Sequence, residues 1–147
     1  MSKSVLCAVD VNERSDVEVL RIAAKLAKLD GARLDVIAVV PDYGMSMVAD
    51  YFEKDFHDKA VERARAALHK FTDEALGDSG LEPRDIVATG KVYREILHAA
   101  KEAGSDLIVI GSHRPDFTDF VLGPNAMQVV RHAECSVYMV RLDGREG

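Results

Sequence analysis

Five short apolar runs, rich in β-branched residues, set the strongest constraint on what this chain can fold into. They are "SVLCAVD" (Ser4 to Asp10), "RLDVIAVV" (Arg33 to Val40), "RDIVAT" (Arg84 to Thr89), "SDLIVI" (Ser105 to Ile110) and "SVYMVR" (Ser136 to Arg141). A strand with one wet face alternates apolar with polar residues, whereas a strand covered on both faces reads as a nearly unbroken apolar run. The runs therefore predict strands of a parallel sheet. Parallel neighbours need long crossovers, and the intervals between the runs supply them with helix-period segments. Ser15 and Glu18 form a capping-box pattern ahead of Val19, Ile22, Ala23 and Leu26, and Gly31 stops the helix. Val61, Ala64, Leu68 and Phe71 mark a long helix from about Asp50 to Leu76, ended near Gly77 and Gly80. Ile96, Leu97, Ala99, Ala100 and Ala103 give a third, stopped by Gly104, and Ala126 to Ala133 a fourth.

Strand and helix alternate four times and a fifth strand closes the chain, with no repeat and no low-complexity linker. Right-handed crossovers then favour an α/β fold: a doubly wound, five-stranded parallel sheet with four helices on its two faces. With 147 residues, 48% of them apolar and 30% charged, residues 1–147 are expected to form one domain. The formal charge of -6 argues against duplex nucleic acid, which rewards stripes of Lys and Arg. No apolar run reaches membrane-spanning length, and Met1-Ser2-Lys3-Ser4 leads into the first strand without a cleavable signal pattern, so a cytoplasmic protein is expected. The two cysteines agree. Cys7 sits in a strand and Cys135 just before one, positions that suit structural thiols.

Ligands in such sheets sit beyond the carboxyl ends of the strands, where the winding reverses. Three groups fall there: Asp10-Val11-Asn12, Pro41 to Met47, and the loop "GSHRPDFTDFVLGPNAMQ" from Gly111 to Gln128. Asp10 at a strand end either caps the turn into the first helix or accepts hydrogen bonds from a ribose. Tyr43, Met45 and Met47, beside Gly44, are expected to form a lid. Gly123 just before a helix lets the backbone approach an anion at the helix N-terminus, although Gly123-Pro124-Asn125 also suits a plain turn, since proline is common at the first helical position.

Other chemistries lack their residues. A receiver-type phosphoacceptor would need an Asp after the third strand and a Lys after the fifth, where this chain has Ala88-Thr89-Gly90 and Arg141. His113, His132 and Cys135 do not form the paired spacings of a zinc site, and His57, His69 and His98 fall on helices as solvated residues. Neither a P-loop, a GxGxxG nor a nucleophile elbow is present.

"DLIVIGSHRP" and "LGPNAMQVVRHAECSVYMVR", with the "AVD" strand end, resemble the universal stress protein family over nearly the whole chain, its F/G-type members most of all. The resemblance implies a Rossmann-like three-layer sandwich of the adenine nucleotide alpha hydrolase-like kind. It also implies a site for ATP or AMP, with or without Mg2+. Asp10 would hold the ribose and the Val39 backbone would face the adenine. Ala8, Val9 and Ile110 would line the base and ribose pocket. Gly111 would open the phosphate loop, and Gly123, Pro124 and Asn125 would close it.

This chain departs from the Gly-x2-Gly-x9-Gly-Ser/Thr loop of the family's nucleotide-binding members. Arg114 replaces the second glycine beside His113, eight residues instead of nine separate it from Gly123, and Pro124 replaces the Ser/Thr. Pro115 biases Arg114 towards extended geometry, so the loop path must differ, and the guanidinium is expected to meet phosphate in place of the lost backbone approach. The expected function is a stress-related binding module acting on an unidentified client protein, dimeric through the last strand. The alternatives are a slow ATPase or phosphotransferase using Asp116 or Asp119, and a ligand-free dimeric scaffold.

Overall fold

The computed structural model describes residues 2–41, 50–112 and 124–142. Strands β1 (Ser4–Ala8), β2 (Arg33–Pro41), β3 (Arg84–Gly90), β4 (Leu107–Gly111) and β5 (Ser136–Val140) alternate with helices α1 (Asp16–Asp30), α2 (Asp50–Leu76), α3 (Val92–Ala103) and α4 (Pro124–His132). The five strands form one parallel sheet in the order β3-β2-β1-β4-β5. The winding goes outward from β1 to β3, then returns across β1 to β4 and β5. The reversal therefore lies between β1 and β4, which pair from Val5↔Leu107 to Ala8↔Ile110.

The doubly covered sheet explains the unalternated runs. On β1, Val5 and Cys7 face the layer built from Val19, Leu20, Ala23, Ala27 and Leu68 of α1 and α2, while Leu6 and Ala8 face Ile96, Ala99, Ala126 and Val129 of α3 and α4. Every residue of β1 is buried. The edge strands are less covered, and Tyr138 on β5 remains 44% exposed.

The strand ends differ from the expected ones because pairing, not composition, sets them. Strand β1 stops at Ala8; Val9 still donates its N–H to the Ile37 carbonyl at 3.0 Å, and the chain then turns. Strand β4 begins at Leu107 and runs on to Gly111, whereas β5 stops at Val140. In α1 the buried stripe is Val19, Leu20, Ala23, Ala24 and Ala27, and Ile22 and Leu26 are only partly covered, because the helix is wedged between the sheet and α2. Helices α1 and α3 end as expected. Gly31 and Gly104, at φ 62 and 65, take the left-handed conformation that returns their N–H groups to the last helical carbonyls. Among the described residues no helix is long and apolar enough to cross a membrane.

Candidate functional site

At the reversal point a cavity of ≈ 240 Å³ opens between the carboxyl ends of β1, β2 and β4 and the first turns of α3 and α4. Ala8, Val9, Asp10, Val39, Ile110, Gly111, Pro124 and Asn125, all expected at a site, line it together. His113, Arg114 and Gly123 lie outside the described residues, as do Tyr43, Met45, Met47, Asp116 and Asp119. The described walls alone enclose less than the roughly 300–1,000 Å³ of a typical small-molecule pocket, room for a ring system and its immediate substituents.

Sequence reasoning missed six lining residues: Glu13, Asp16, Ile37, Val92, Ile96 and Ala126. Some signals were present. Ile37 lies two residues before Val39 on the same face of β2, and Val92 and Ile96 are one helical turn apart at the start of α3. With Ala8, Val39, Ile110 and Ala126 they give the cavity an apolar wall, suited to a flat aromatic ring. Its polar rim is Asp10, Glu13 and Asn125, with the buried Asp16 beneath them.

The turn from β1 into α1 sets that rim. Asp10 is exposed, not buried at a strand end, and its Oδ1 accepts the Asn12 N–H at 2.9 Å. The turn-capping reading of Asp10 is therefore realised in the structure, while the residue also borders the cavity. The expected capping box is not formed. Ser15 has helical dihedrals (φ -63, ψ -20) and its side chain makes no capping hydrogen bond, because backbone turns from Asp10 to Glu13 and from Glu13 to Asp16 already wind the chain into the helix. The carboxylate that organises this entry is Asp16, one residue later: it is 1% exposed and its Oδ2 accepts the Asp10 N–H at 2.6 Å.

Gly111, expected to open the phosphate loop, is a closely packed position. A Cβ there would stand 2.7 Å from Leu142 Cδ1, 2.9 Å from Val19 Cγ2 and 3.4 Å from Asp16 Oδ1. The missing side chain makes room for α1 and the chain after β5, so packing suffices to require glycine. At the other wall, Pro124 begins α4; it contributes no N–H, and the Asn125 amide is the polar group that borders the cavity beside it.

Neither cysteine is primed for chemistry. Burial pushes the Cys7 thiol well above its ordinary pKa, with the Asp16 carboxylate adding to the effect, and burial likewise raises Cys135. His132, three residues before Cys135, stacks on Tyr93 with ring centroids 6.3 Å apart. His69 is not merely solvated: its Nδ1 lies 3.7 Å from Asp85 Oδ2. Among the described residues no three His, Cys, Asp or Glu side chains converge as metal ligands. A larger groove of ≈ 660 Å³ runs between α1 and α2 from the turn at Val11, and it is bordered by the exposed charges of Arg14, Glu18, Arg21, Lys70 and Glu74.

Known proteins match both the chain and the fold. The model of the universal stress protein family matches residues 1–141. Universal stress protein G of Shigella flexneri is 34% identical, covering 96% of this chain and all of that protein (100%). Among solved structures, universal stress protein UspA from Lactobacillus plantarum superposes with a TM-score of 0.79 at 23% identity, over 95% of this chain and 97% of that one. A universal stress protein in complex with cAMP gives 0.69 at 18% identity, over 95% of this chain and 96% of that one. The universal stress protein from Archaeoglobus fulgidus in complex with dAMP gives 0.59 at 24% identity, over 94% and 97%. The five-stranded order, the strand-end cavity and these matches meet in one conclusion: the chain belongs to the universal stress protein family.

Proposed function

We propose that the cavity at the ends of β1 and β4 binds an adenine nucleotide, and that this chain is a cytoplasmic, single-domain stress-response protein acting as a regulatory binding module on a client protein. The observation that carries the reading is the joining of an apolar wall (Ala8, Ile37, Val39, Ile96, Ile110) to a carboxylate, Asp10, at the winding reversal of a doubly wound sheet. The wall takes the adenine ring. Asp10 accepts the ribose hydroxyls, using the lone pairs that the Asn12 N–H leaves open. The relatives solved with cAMP and dAMP share the fold, and both ligands are adenine monophosphates.

In this reading the adenosine end provides most of the affinity. Asp10 and Glu13 on the rim, with Asp16 beneath them, surround the site with negative charge, so AMP or ATP needs the α4 N-terminus, Asn125, Arg114 or a bound Mg2+ to offset its phosphates. Calorimetric titration tests this. Adenosine, AMP and ATP should all bind, and Asp10→Ala should weaken all three by roughly tenfold or more, the worth of a charge-assisted hydrogen bond. Absence of binding by any of the three ligands would refute the reading and leave the ligand-free scaffold.

We further infer a homodimer through β5. It is an edge strand, and Tyr138 on it, with Met127 and Val130 on α4, keeps 44 to 47% of its surface exposed. Val137 and Met139 pack against the α3 and α4 layer, so Tyr138 is the outward residue of the strand. Sedimentation should give a dimer at micromolar concentration and a monomer for Tyr138→Lys; a monomeric parent protein would exclude this assembly.

A further inference from the structure

Asp16 is a polar residue in the first turn of a helix, yet it is 1% exposed and belongs to the same cavity wall as Asp10. Burying a carboxylate is costly unless it does something in return, and most N-terminal helix acids stay in water. Its Oδ2 takes the Asp10 N–H at 2.6 Å, a short, charge-assisted bond. The Asp10 side chain is fixed from the other direction: its Oδ1 takes the Asn12 N–H. Asp10 is thus held at two points, backbone and carboxylate, in a turn that is otherwise exposed from Asn12 to Ser15. Asp16 also lies under the far rim of the cavity, 3.4 Å from where a Gly111 Cβ would be. One buried carboxylate therefore spans the β1 exit and the β4 exit, the two strands between which the ligand is placed.

We propose that Asp16 is a positioning residue for the adenosine site: it orients Asp10 toward the ligand without touching the ligand. This deepens the nucleotide reading and rests on it. Without Asp16, the Asp10 backbone loses its anchor and the carboxylate samples other directions, so the ordering of Asp10 must be done by the ligand at the expense of affinity.

A double-mutant cycle with adenosine as the probe separates positioning from plain structural support. Asp16→Ala should weaken adenosine binding roughly tenfold when Asp10 is present, because the anchored hydrogen bond is the one lost. In the Asp10→Ala background the same substitution should change adenosine affinity by less than about twofold, since nothing remains to be oriented. The loss of thermal stability should be the same in both backgrounds. Asp16→Asn keeps an acceptor for the Asp10 N–H, folds, and should show the same pattern with a loss of roughly threefold, so the cycle stands even if Asp16→Ala is too unstable to titrate. Equal affinity losses in both backgrounds, or no loss in either, would overturn the proposal while leaving nucleotide binding intact. Failure of the parent protein to bind adenosine would remove the nucleotide reading itself, and this inference with it.

Discussion

Two buried carboxylates at opposite ends of the sheet have almost the same exposure and different work. Asp35, near the amino ends of β2 and β3, is fully covered and held by the Arg84 fork, with Nε to Oδ1 and Nη2 to Oδ2 both at 3.2 Å and Arg33 at 3.8 Å. Asp16, at the carboxyl end of β1, holds a backbone N–H in the turn that frames the cavity. Asp35 ties one strand to its neighbour in register, since Asp35↔Arg84 is the first pair of the β2–β3 ladder. The contrast teaches that burial alone does not mark a site. What the carboxylate holds decides: side chains of the scaffold at one end, the backbone of the turn that borders the strand-end cavity at the other.

The largest effect that follows is on stability, and it should fall at the amino end. Asp35→Ala leaves two arginines without their anion. Because Arg33 and Arg84 keep 57 and 59% of their side-chain surface in water, no buried charge is stranded, and the cost should be that of the lost charge-assisted fork, about 1.5 to 3 kcal/mol. Denaturant unfolding measures it. Adenosine affinity of the folded protein should be unchanged, and a parallel loss of affinity would erase the distinction between the two ends.

A third carboxylate sharpens the comparison with a smaller effect. Asp85 on β3 faces α2, where its Oδ1 is buried with no hydrogen-bond partner among the described residues and its Oδ2 lies 3.4 Å from the Thr72 hydroxyl. Burial raises its pKa from the ordinary aspartate value; the nearby His69 and the Thr72 hydroxyl pull the other way and by less. A raised folded-state pKa means that the stabilising form is the protonated one. The contribution is complete below the unfolded pKa and is lost as pH rises through the raised value, so the charged form costs stability at neutrality. Asp85→Asn should therefore gain a few tenths of a kcal/mol at pH 7 and lose that gain in acid, within the usual range for a partly exposed change. Melting curves across pH that keep the same slope in both proteins would contradict this assignment.

Much of the frame was legible because burial on both faces leaves a direct mark on composition. The five apolar runs, the helix between each pair and the glycine stops at Gly31 and Gly104 all read through. The entry into α1 did not. Ser15 and Glu18 matched a capping box, but such patterns report local preference, and here successive turns from Asp10 displaced the cap and buried Asp16 instead. The apolar wall was only partly foreseen: the family resemblance pointed to Val39 and Ile110, but Val92 and Ile96 reach the cavity only because α3 crosses back over the sheet after β3. Gly111 was expected to open the phosphate loop, and the neighbours that leave no space for a side chain there, Val19 and Leu142, come from segments far apart in sequence. No local pattern encodes them.

In the proposed reading the ligand end and the scaffold end are separate, with adenosine seated at the ends of β1 and β4. Backbone amide shifts on titration with adenosine test it most directly, since they report every described position at once. Perturbations should cluster at Val9, Asp10, Val39, Ile110, Gly111 and Asn125, with Asp35, Arg84 and His69 unmoved. Perturbations centred on the α1–α2 groove at Arg14, Arg21 and Lys70, or none at saturating adenosine, would contradict it.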